Sequence, residues 1–279
     1  MRWTLDDIRW HEFDAAKVDP GILAVVKAAA LVEANATDYV AYLKNVFPDD
    51  GLFIAAAEQW GREESQHGAA LGRWAEMADP SYVFSRSLAW FREGYRLPLD
   101  ASQSVRGSRA GELIARCVVE SGTSSFYSAI RDATDEPVLK QIAHRIAADE
   151  FAHYQLFQKH LRRYEGAALP RLERLKIAIG RVREAEDDEL AYAYYAANVK
   201  GRDAAPPYDA KRHARAYWQH AMALYREKHI DNATRMILRA AQFPPNGRLA
   251  NFAAKAFWAV VRLRRRRLAK APALVQPAA

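Results

Sequence analysis

Two glutamate and histidine pairs recur in this sequence with the same spacing. Glu64 precedes His67 by three residues in EQWGREESQHG, and Glu150 precedes His153 by three residues in IAADEFAHYQLF. On a helix, residues three apart lie on one face about one turn from each other. Each pair could therefore present a carboxylate and an imidazole to the same metal ion. A single pair is weak evidence in so charged a chain, and support must come from elsewhere in the sequence.

A lone glutamate lies upstream of each pair. Glu33 lies 31 residues before Glu64, and Glu120 lies 30 residues before Glu150. Each half of the sequence thus offers one glutamate on one helix and a Glu-x-x-His motif on the next, which is the ligand arrangement of carboxylate-bridged di-iron and di-manganese helix bundles. Four carboxylates balance two divalent metal ions, whereas the same acids buried without metal would carry a heavy desolvation cost.

Helical phase supports the same grouping. The residues that share a helical face with the two lone glutamates are mostly apolar, and they include Val26, Ala30, Val40, Leu113 and Cys117. A carboxylate that points into an apolar core needs a partner, and a metal ion would provide one. We therefore expect all six side chains to face a common core.

The segments that carry these residues have the pattern of long helices. Strong helix formers fill the stretches between clusters of Gly and Pro, and apolar residues recur at intervals of three and four. The pattern predicts helices near 21–45, 50–77, 106–133 and 136–164, and three more near 170–198, 208–241 and 247–270. The link between the second and third helices is long enough for a crossover.

This connectivity predicts an all-α protein with two parts. Residues 1–166 would form a ferritin-like four-helix bundle with an N-terminal extension. Residues 167–279 would form additional helices that pack on the bundle and end in a basic tail.

The composition is typical of a globular protein in a reducing compartment. The chain has 279 residues, of which 50% are hydrophobic, and its single cysteine, Cys117, excludes an intramolecular disulfide and a cysteine-built metal site. The first residues lack an apolar run of signal-peptide length, and no stretch reaches about 18 uninterrupted apolar residues. We therefore expect a soluble, cytoplasmic protein.

The charge balance favours acidic partners. The net charge is +7 and the pI is near 9.4, so nucleic acid, anionic lipid and acidic proteins are all candidates. The segment AFWAVVRLRRRRLAK, residues 256–270, combines an apolar face with a run of arginines and could dock on a membrane surface. The alternative is a last helix that packs on the bundle and frays into the basic tail. The sequence also leaves a homodimer open.

Three motifs resemble those of the soluble acyl-acyl-carrier-protein desaturases. The segment WGREESQHG, residues 60–68, matches that family's second-helix motif, Trp-x-x-Glu-Glu-x-x-His-Gly. The segment ADEFAH, residues 148–153, matches its fourth-helix motif, Ala-Asp-Glu-x-x-His. Glu120 and Thr123 match the third-helix pattern, in which the threonine lies beside the oxygen site. The resemblance covers about residues 20–165, and the last three helices do not align with that family's substrate-contacting parts.

The resemblance implies a centre of two iron ions. Glu64 and Glu150 would bridge the two irons, and the terminal ligands would be Glu33, His67, Glu120 and His153. Asp149 would orient a ligand histidine, and Thr123 would relay protons to bound oxygen. The implied activity is desaturation of a fatty acyl chain carried on acyl carrier protein, with electrons from a ferredoxin-like donor.

Other di-iron functions remain open at this point. A hydroxylase could use the same cluster on a tRNA, a quinone or a lipid, and a non-catalytic iron-binding redox protein would need the same ligands. Peroxidases of the rubrerythrin type have an additional glutamate where this chain has Thr123, and ferritins lack the second Glu-x-x-His motif. A ribonucleotide reductase subunit would need a radical tyrosine, for which Tyr39, Tyr127 and Tyr154 are the candidates.

Overall fold

A computed structural model describes residues 2–164, 169–184 and 188–269, and within them the chain is helical and contains no β-strand. This confirms the predicted all-α class. After three short 3-10 turns between Leu5 and Lys17, the α-helices are α1 (Pro20–Ala34), α2 (Ala36–Val46), α3 (Gly51–Ala78), α4 (Phe84–Gly94), α5 (Arg109–Ala133), α6 (Pro137–Arg162), α7 (Arg171–Glu184), α8 (Asp188–Asn198), α9 (Ala210–Leu224), α10 (Glu227–Ala240) and α11 (Arg248–Ala269).

Helices α1, α3, α5 and α6 surround a common interior. Helices α3 and α6 run antiparallel, because Phe53 near the start of α3 packs on His160 near the end of α6, whereas Trp74 near the end of α3 donates a hydrogen bond to Glu136 at the start of α6. Helices α5 and α6 form a hairpin with a link of three residues, 134–136. Helix α1 packs along α3.

The first predicted helix is broken at Asn35. This residue has φ −87° and ψ 8°, so the chain turns between α1 and α2 where sequence pattern alone predicted one helix over 21–45. Arg92 of α4 donates a hydrogen bond to the carbonyl oxygen of Ala34 at 3.0 Å and so satisfies a backbone group that the break leaves free. Helix α4 itself lies in the segment that we expected to be a simple crossover.

The later helices pack on the first part of the chain. Helices α8 and α9 contact α1, and α7 and α10 contact α5. One hydrophobic cluster contains Val25 of α1, Tyr194 of α8 and Tyr217 of α9, so the interior is continuous between the two parts. The predicted boundary between residues 166 and 167 and the tail from 270 onward lie outside the described residues.

One further segment departs from the predicted ranges. The predicted helix over 208–241 divides at Tyr225, which has an extended backbone, and α10 begins after Arg226.

Within the described residues, one stretch, Pro20–Val46, is apolar and long enough to cross a membrane by composition. That stretch is the packed pair α1 and α2, with 72% of the apolar window buried inside the protein, as expected for inner helices of a bundle.

Candidate metal centre

Each of the four central helices begins with a side chain that caps its backbone. The side chains of Asp19, Asp50, Ser108 and Glu136 accept hydrogen bonds from backbone N–H groups in the first turns of α1, α3, α5 and α6. Proline follows the cap in α1 and α6, where its fixed φ suits the first helical position. These local signals fix where each helix starts and hence which residues face the interior.

The six residues predicted as ligands lie together in that interior. They form two groups in which the ligand atoms lie within 4.8 Å of one another. The first group contains Glu33, Glu64, His67 and Glu150, and the second contains Glu64, Glu120, Glu150 and His153. All six residues are buried. Each group could hold one metal ion, and the carboxylates of Glu64 and Glu150 belong to both.

The two imidazoles face the carboxylates through the same ring atom. His67 Nδ1 lies 3.3 Å from an oxygen of Glu150 and 3.5 Å from an oxygen of Glu64. His153 Nδ1 lies 3.0 Å from the other oxygen of Glu64 and 3.9 Å from an oxygen of Glu120. The two ring centroids are 5.8 Å apart. Both Nδ1 atoms thus point to the space between the four acids.

The outer nitrogen of each imidazole contacts a further acid. His67 Nε2 lies 3.1 Å from Asp149, and His153 Nε2 lies 2.8 Å from Glu63. A carboxylate only accepts hydrogen bonds, so each Nε2 carries a proton and donates it. Each Nδ1 is then the ring atom that can bind metal, and the outer acid holds the ring in that orientation.

Several inward-facing atoms lack a hydrogen-bond partner within the protein. They are buried and comprise His67 Nδ1, His153 Nδ1, Glu120 Oε1 and Glu150 Oε1. A buried polar atom without a partner is costly, and groups of such atoms are rare in folded proteins. All four belong to the predicted ligand residues and point to the same interior, so a divalent metal pair with nitrogen and oxygen ligands fits the residues present.

The pKa values of the four acids shift in opposite directions. Burial and the Glu64 carboxylate raise the pKa of Glu33 well above its usual range, and burial and Glu150 do the same to the pKa of Glu120. Burial alone would raise the pKa of Glu64, but its contacts with Glu33 and the site histidines hold it well below its usual range. Burial and the Glu64 carboxylate would raise the pKa of Glu150, but the two neighbouring imidazoles outweigh them and lower it to about 2.

The imidazoles compensate the two ionised acids. Burial would lower the pKa of His67, yet the hydrogen bond with Asp149 and the nearby Glu150 carboxylate raise it well above its usual range. The pKa of His153 is raised against burial by the nearby Glu150 carboxylate and by the hydrogen bond with Glu63. These shifts favour charged imidazoles opposite the carboxylates of Glu64 and Glu150, so the charges within the cluster compensate each other.

Two hydroxyl groups on α5 also contact the acids. Thr123 Oγ1 donates a hydrogen bond of 2.7 Å to Glu150, which places the residue predicted for oxygen chemistry directly beside the cluster. Tyr127 donates a hydrogen bond to Glu33. Of the other candidate radical tyrosines, Tyr39 donates to Glu189 and Tyr154 donates to the carbonyl oxygen of Met236, so both face away from the ligand set.

The N-terminal extension covers one histidine of the cluster. Trp3 stacks on the ring of His67 with centroids 6.0 Å apart, and its indole N–H donates a hydrogen bond of 2.6 Å to Asp149. Gln66 donates to the carbonyl oxygen of Trp3 and anchors the segment on α3. We did not predict a role for Trp3, since no pattern in the sequence links it to residues more than 60 positions away.

Glu63 is the second contact that we did not predict. It matched the family motif, but only Asp149 was assigned an orienting role. The sequence did contain a signal, because Glu63 precedes Glu64 as Asp149 precedes Glu150. Each Glu-x-x-His motif therefore carries an acid in front of it, and each such acid contacts the histidine of the other motif.

Comparisons with known proteins do not place the chain in a family. A scan against models of protein families finds no match, and a search of curated proteins finds no similar sequence. A function is therefore inferred from the geometry of the six residues and from the sequence motifs.

Proposed function

We propose that this chain is a di-iron, O2-dependent oxidoreductase built on a ferritin-like four-helix bundle. The observation that carries the proposal is the sharing of Glu64 and Glu150 between two ligand groups, each completed by one terminal glutamate and one histidine. Such sharing holds two metal ions close together, as in carboxylate-bridged helix bundles. Glu33, His67, Glu120 and His153 would be the terminal ligands.

The proposed reaction is desaturation of a fatty acyl chain carried on acyl carrier protein. A bound iron pair would supply the reduction of O2 and the removal of hydrogen from an unactivated C–H bond. The balance requires four electrons and four protons for each O2, which yields two waters. Two electrons and two protons come from the adjacent carbons that become the double bond, and a ferredoxin-like donor supplies two electrons while solvent supplies two protons.

The protein side chains would orient ligands and control protons. Asp149 and Glu63 accept the Nε2 protons of the two histidines and so keep both Nδ1 atoms directed inward. Thr123 has a hydroxyl within hydrogen-bond distance of Glu150 and can hand a proton to a group bound between the acids. Trp3 covers His67 and limits the access of water from that side.

The substrate and partners are inferred from the motif resemblance and the positive charge. An acidic carrier would be attracted by a basic protein, which mainly raises the rate of encounter. Cys117 is buried and unpaired, in keeping with a cytoplasmic location. A hydroxylase acting on a quinone or a lipid is the second candidate, and the exposed apolar residues of α11 favour it because they suit a substrate taken from a bilayer.

Metal content tests the centre. Anaerobic reconstitution of the wild-type protein should give about two irons per chain, whereas the double variant Glu64→Ala, Glu150→Ala should lose both sites. Glu58→Ala is the matched control, since Glu58 lies on α3 but pairs with Lys44 on the outside. Full iron occupancy in the double variant would contradict the ligand assignment.

Product analysis tests the reaction. Reduced di-iron protein, ferredoxin, reductase and O2 would be incubated with acyl carrier protein that carries saturated chains, and the released acids would be identified. A new double bond supports desaturation. An alcohol, or turnover only on a quinone, a lipid or tRNA, would replace the desaturase with the hydroxylase while leaving the metal centre in place.

A further inference from the structure

Helix α11 has an outward face that is apolar from Leu249 to Leu263. Its large exposed residues are Leu249, Phe252, Val260 and Leu263, with exposures of 60%, 71%, 60% and 50%. Their spacing places them on one side of the helix, together with the exposed Ala256 between them. Single exposed apolar residues are ordinary, but an apolar stripe along about four turns of one helix indicates a contact surface.

The opposite face of α11 holds the helix on the protein. Ala250, Ala254 and Val261 are buried, and α11 contacts α9 and α10. Val261 belongs to a hydrophobic cluster with Met222 and Ile230. The outward stripe is therefore additional to the apolar face that the fold itself requires.

The net charge of the chain is concentrated on this helix. Residues 248–269 contain seven Lys and Arg and neither Asp nor Glu. The whole chain has 41 basic and 34 acidic residues, so the remainder is balanced at 34 of each. The entire excess of +7 thus lies on α11. Arg248, Lys255 and Arg262 recur at intervals of seven and follow one edge of the apolar stripe.

We propose that α11 docks in the plane of an anionic lipid bilayer. Its apolar stripe would enter the boundary between head groups and acyl chains, and its cations would contact lipid phosphates. The long arginine and lysine side chains at the edge of the stripe can reach the head groups while the stripe is immersed. A helix of 22 residues is about 33 Å long and lies flat, because the opposite face remains packed on the protein.

The chemistry of α11 favours lipid over the other occupants of such a surface. A second copy of the chain would bring seven cations against seven cations without any acid on either helix. A nucleic acid would neutralise the cations but would leave the Leu, Phe and Val side chains without an apolar partner. A bilayer with anionic head groups offers negative charge to the cations and an apolar environment to the stripe.

The test uses the full-length protein and vesicles, and it requires neither iron nor turnover. Cosedimentation would compare vesicles of phosphatidylcholine with vesicles of equal parts phosphatidylcholine and phosphatidylglycerol. The wild-type protein should bind the anionic vesicles and bind the neutral vesicles at least about tenfold more weakly. Added salt should weaken binding without abolishing the contribution of the stripe.

Two sets of variants separate the stripe from the charge. Phe252→Ser with Leu263→Ser should lower the partition coefficient about tenfold or more at unchanged net charge. Leu52→Ser with Leu172→Ser is the control, since both leucines are exposed elsewhere in the protein, at 73% and 70%. Arg262→Gln, Arg265→Gln and Arg266→Gln together should also release the protein from anionic vesicles.

The control for charge removes three cations from other exposed positions. The set Lys140→Gln, Arg171→Gln and Lys211→Gln should leave binding nearly unchanged. Thermal unfolding curves of all variants would verify that they are folded.

Equal binding by the stripe variant and its control would overturn the proposal. So would tight nucleic-acid binding without vesicle binding, or dimers that dissociate in Phe252→Ser. Vesicle binding is measured without iron and without turnover, so failure of the iron or product tests would not change its outcome.

Discussion

Loading of the metal centre should release about four protons near neutral pH. In the metal-free protein, the raised pKa values of Glu33 and Glu120 favour the protonated form of both carboxyl groups. The raised pKa values of His67 and His153 favour the charged form of both imidazoles. Metal ligands must be deprotonated to bind, so two carboxyl protons and two imidazolium protons are displaced.

The sign of the pH effect follows from this proton count. Protons compete with metal for the same atoms, so affinity rises with pH. With four protons displaced, the association constant for both ions should increase by about four orders of magnitude per pH unit. The increase should end where the pH exceeds the pKa values of the ligand groups in the metal-free protein. The proton count can be measured by titrating manganese(II) into the protein in two buffers with different enthalpies of ionisation.

Two variants make the measurement decisive. Glu33→Gln removes one protonated ligand and should reduce the number of protons released by about one. Glu58→Gln changes a partly exposed acid of α3 that pairs with Lys44, and it should leave the number unchanged. Release of one proton or none by the wild-type protein would refute the protonation states that we derive. An unchanged count in Glu33→Gln would remove Glu33 from the ligand set.

Three further predictions concern the groups around the ligands. Asp149→Asn and Glu63→Gln should each weaken metal binding about 10- to 100-fold in competition with a chelator, and an effect of only one of them would contradict the twofold arrangement. Thr123→Glu should raise peroxide consumption and lower substrate oxidation. If both rates are unchanged in Thr123→Glu and in Thr123→Ala, Thr123 has only a packing role. The metal-free protein should lose thermal stability as pH rises above about 6.5, the pKa of histidine in the unfolded chain. The histidines have raised pKa values in the folded protein, so their contribution to stability is lost as pH rises from the unfolded-state pKa through the folded-state pKa. The raised pKa values of Glu33 and Glu120 act in the same direction. Metal-loaded protein should show the opposite trend, and parallel trends with and without metal would contradict this account.

The candidate site could be predicted from sequence because its information is local and repeated. Each Glu-x-x-His motif occupies one helical turn, and the lone glutamates lie 31 and 30 residues upstream. Helical periodicity then specifies the face on which each residue lies. The repeat contained more than we used, since the acid before each motif also follows the twofold pattern.

The departures from the predicted fold occur where residues distant in sequence make contact. At the break, the side chain of Asn35 accepts a hydrogen bond from Arg92, which lies 57 residues later on a helix that we did not predict. Helix α10 begins after Arg226, whose backbone N–H donates to the ring of His229, and Asp132 of α5 contacts the same ring at 3.0 Å. Helix propensity cannot reveal such breaks, because the satisfying groups come from other elements.

The concentration of charge on α11 connects the two proposals made for this chain. The rest of the chain has no net charge, so the general attraction that we infer for an acidic carrier also originates largely from α11. A carrier and an anionic bilayer would then compete for the same cations. The variant that lacks Arg262, Arg265 and Arg266 should therefore lose vesicle binding and also slow the encounter with an acidic carrier. Carrier association that is unchanged in this variant would place the carrier on a local basic patch of the bundle, and bilayer docking and substrate delivery could then occur together.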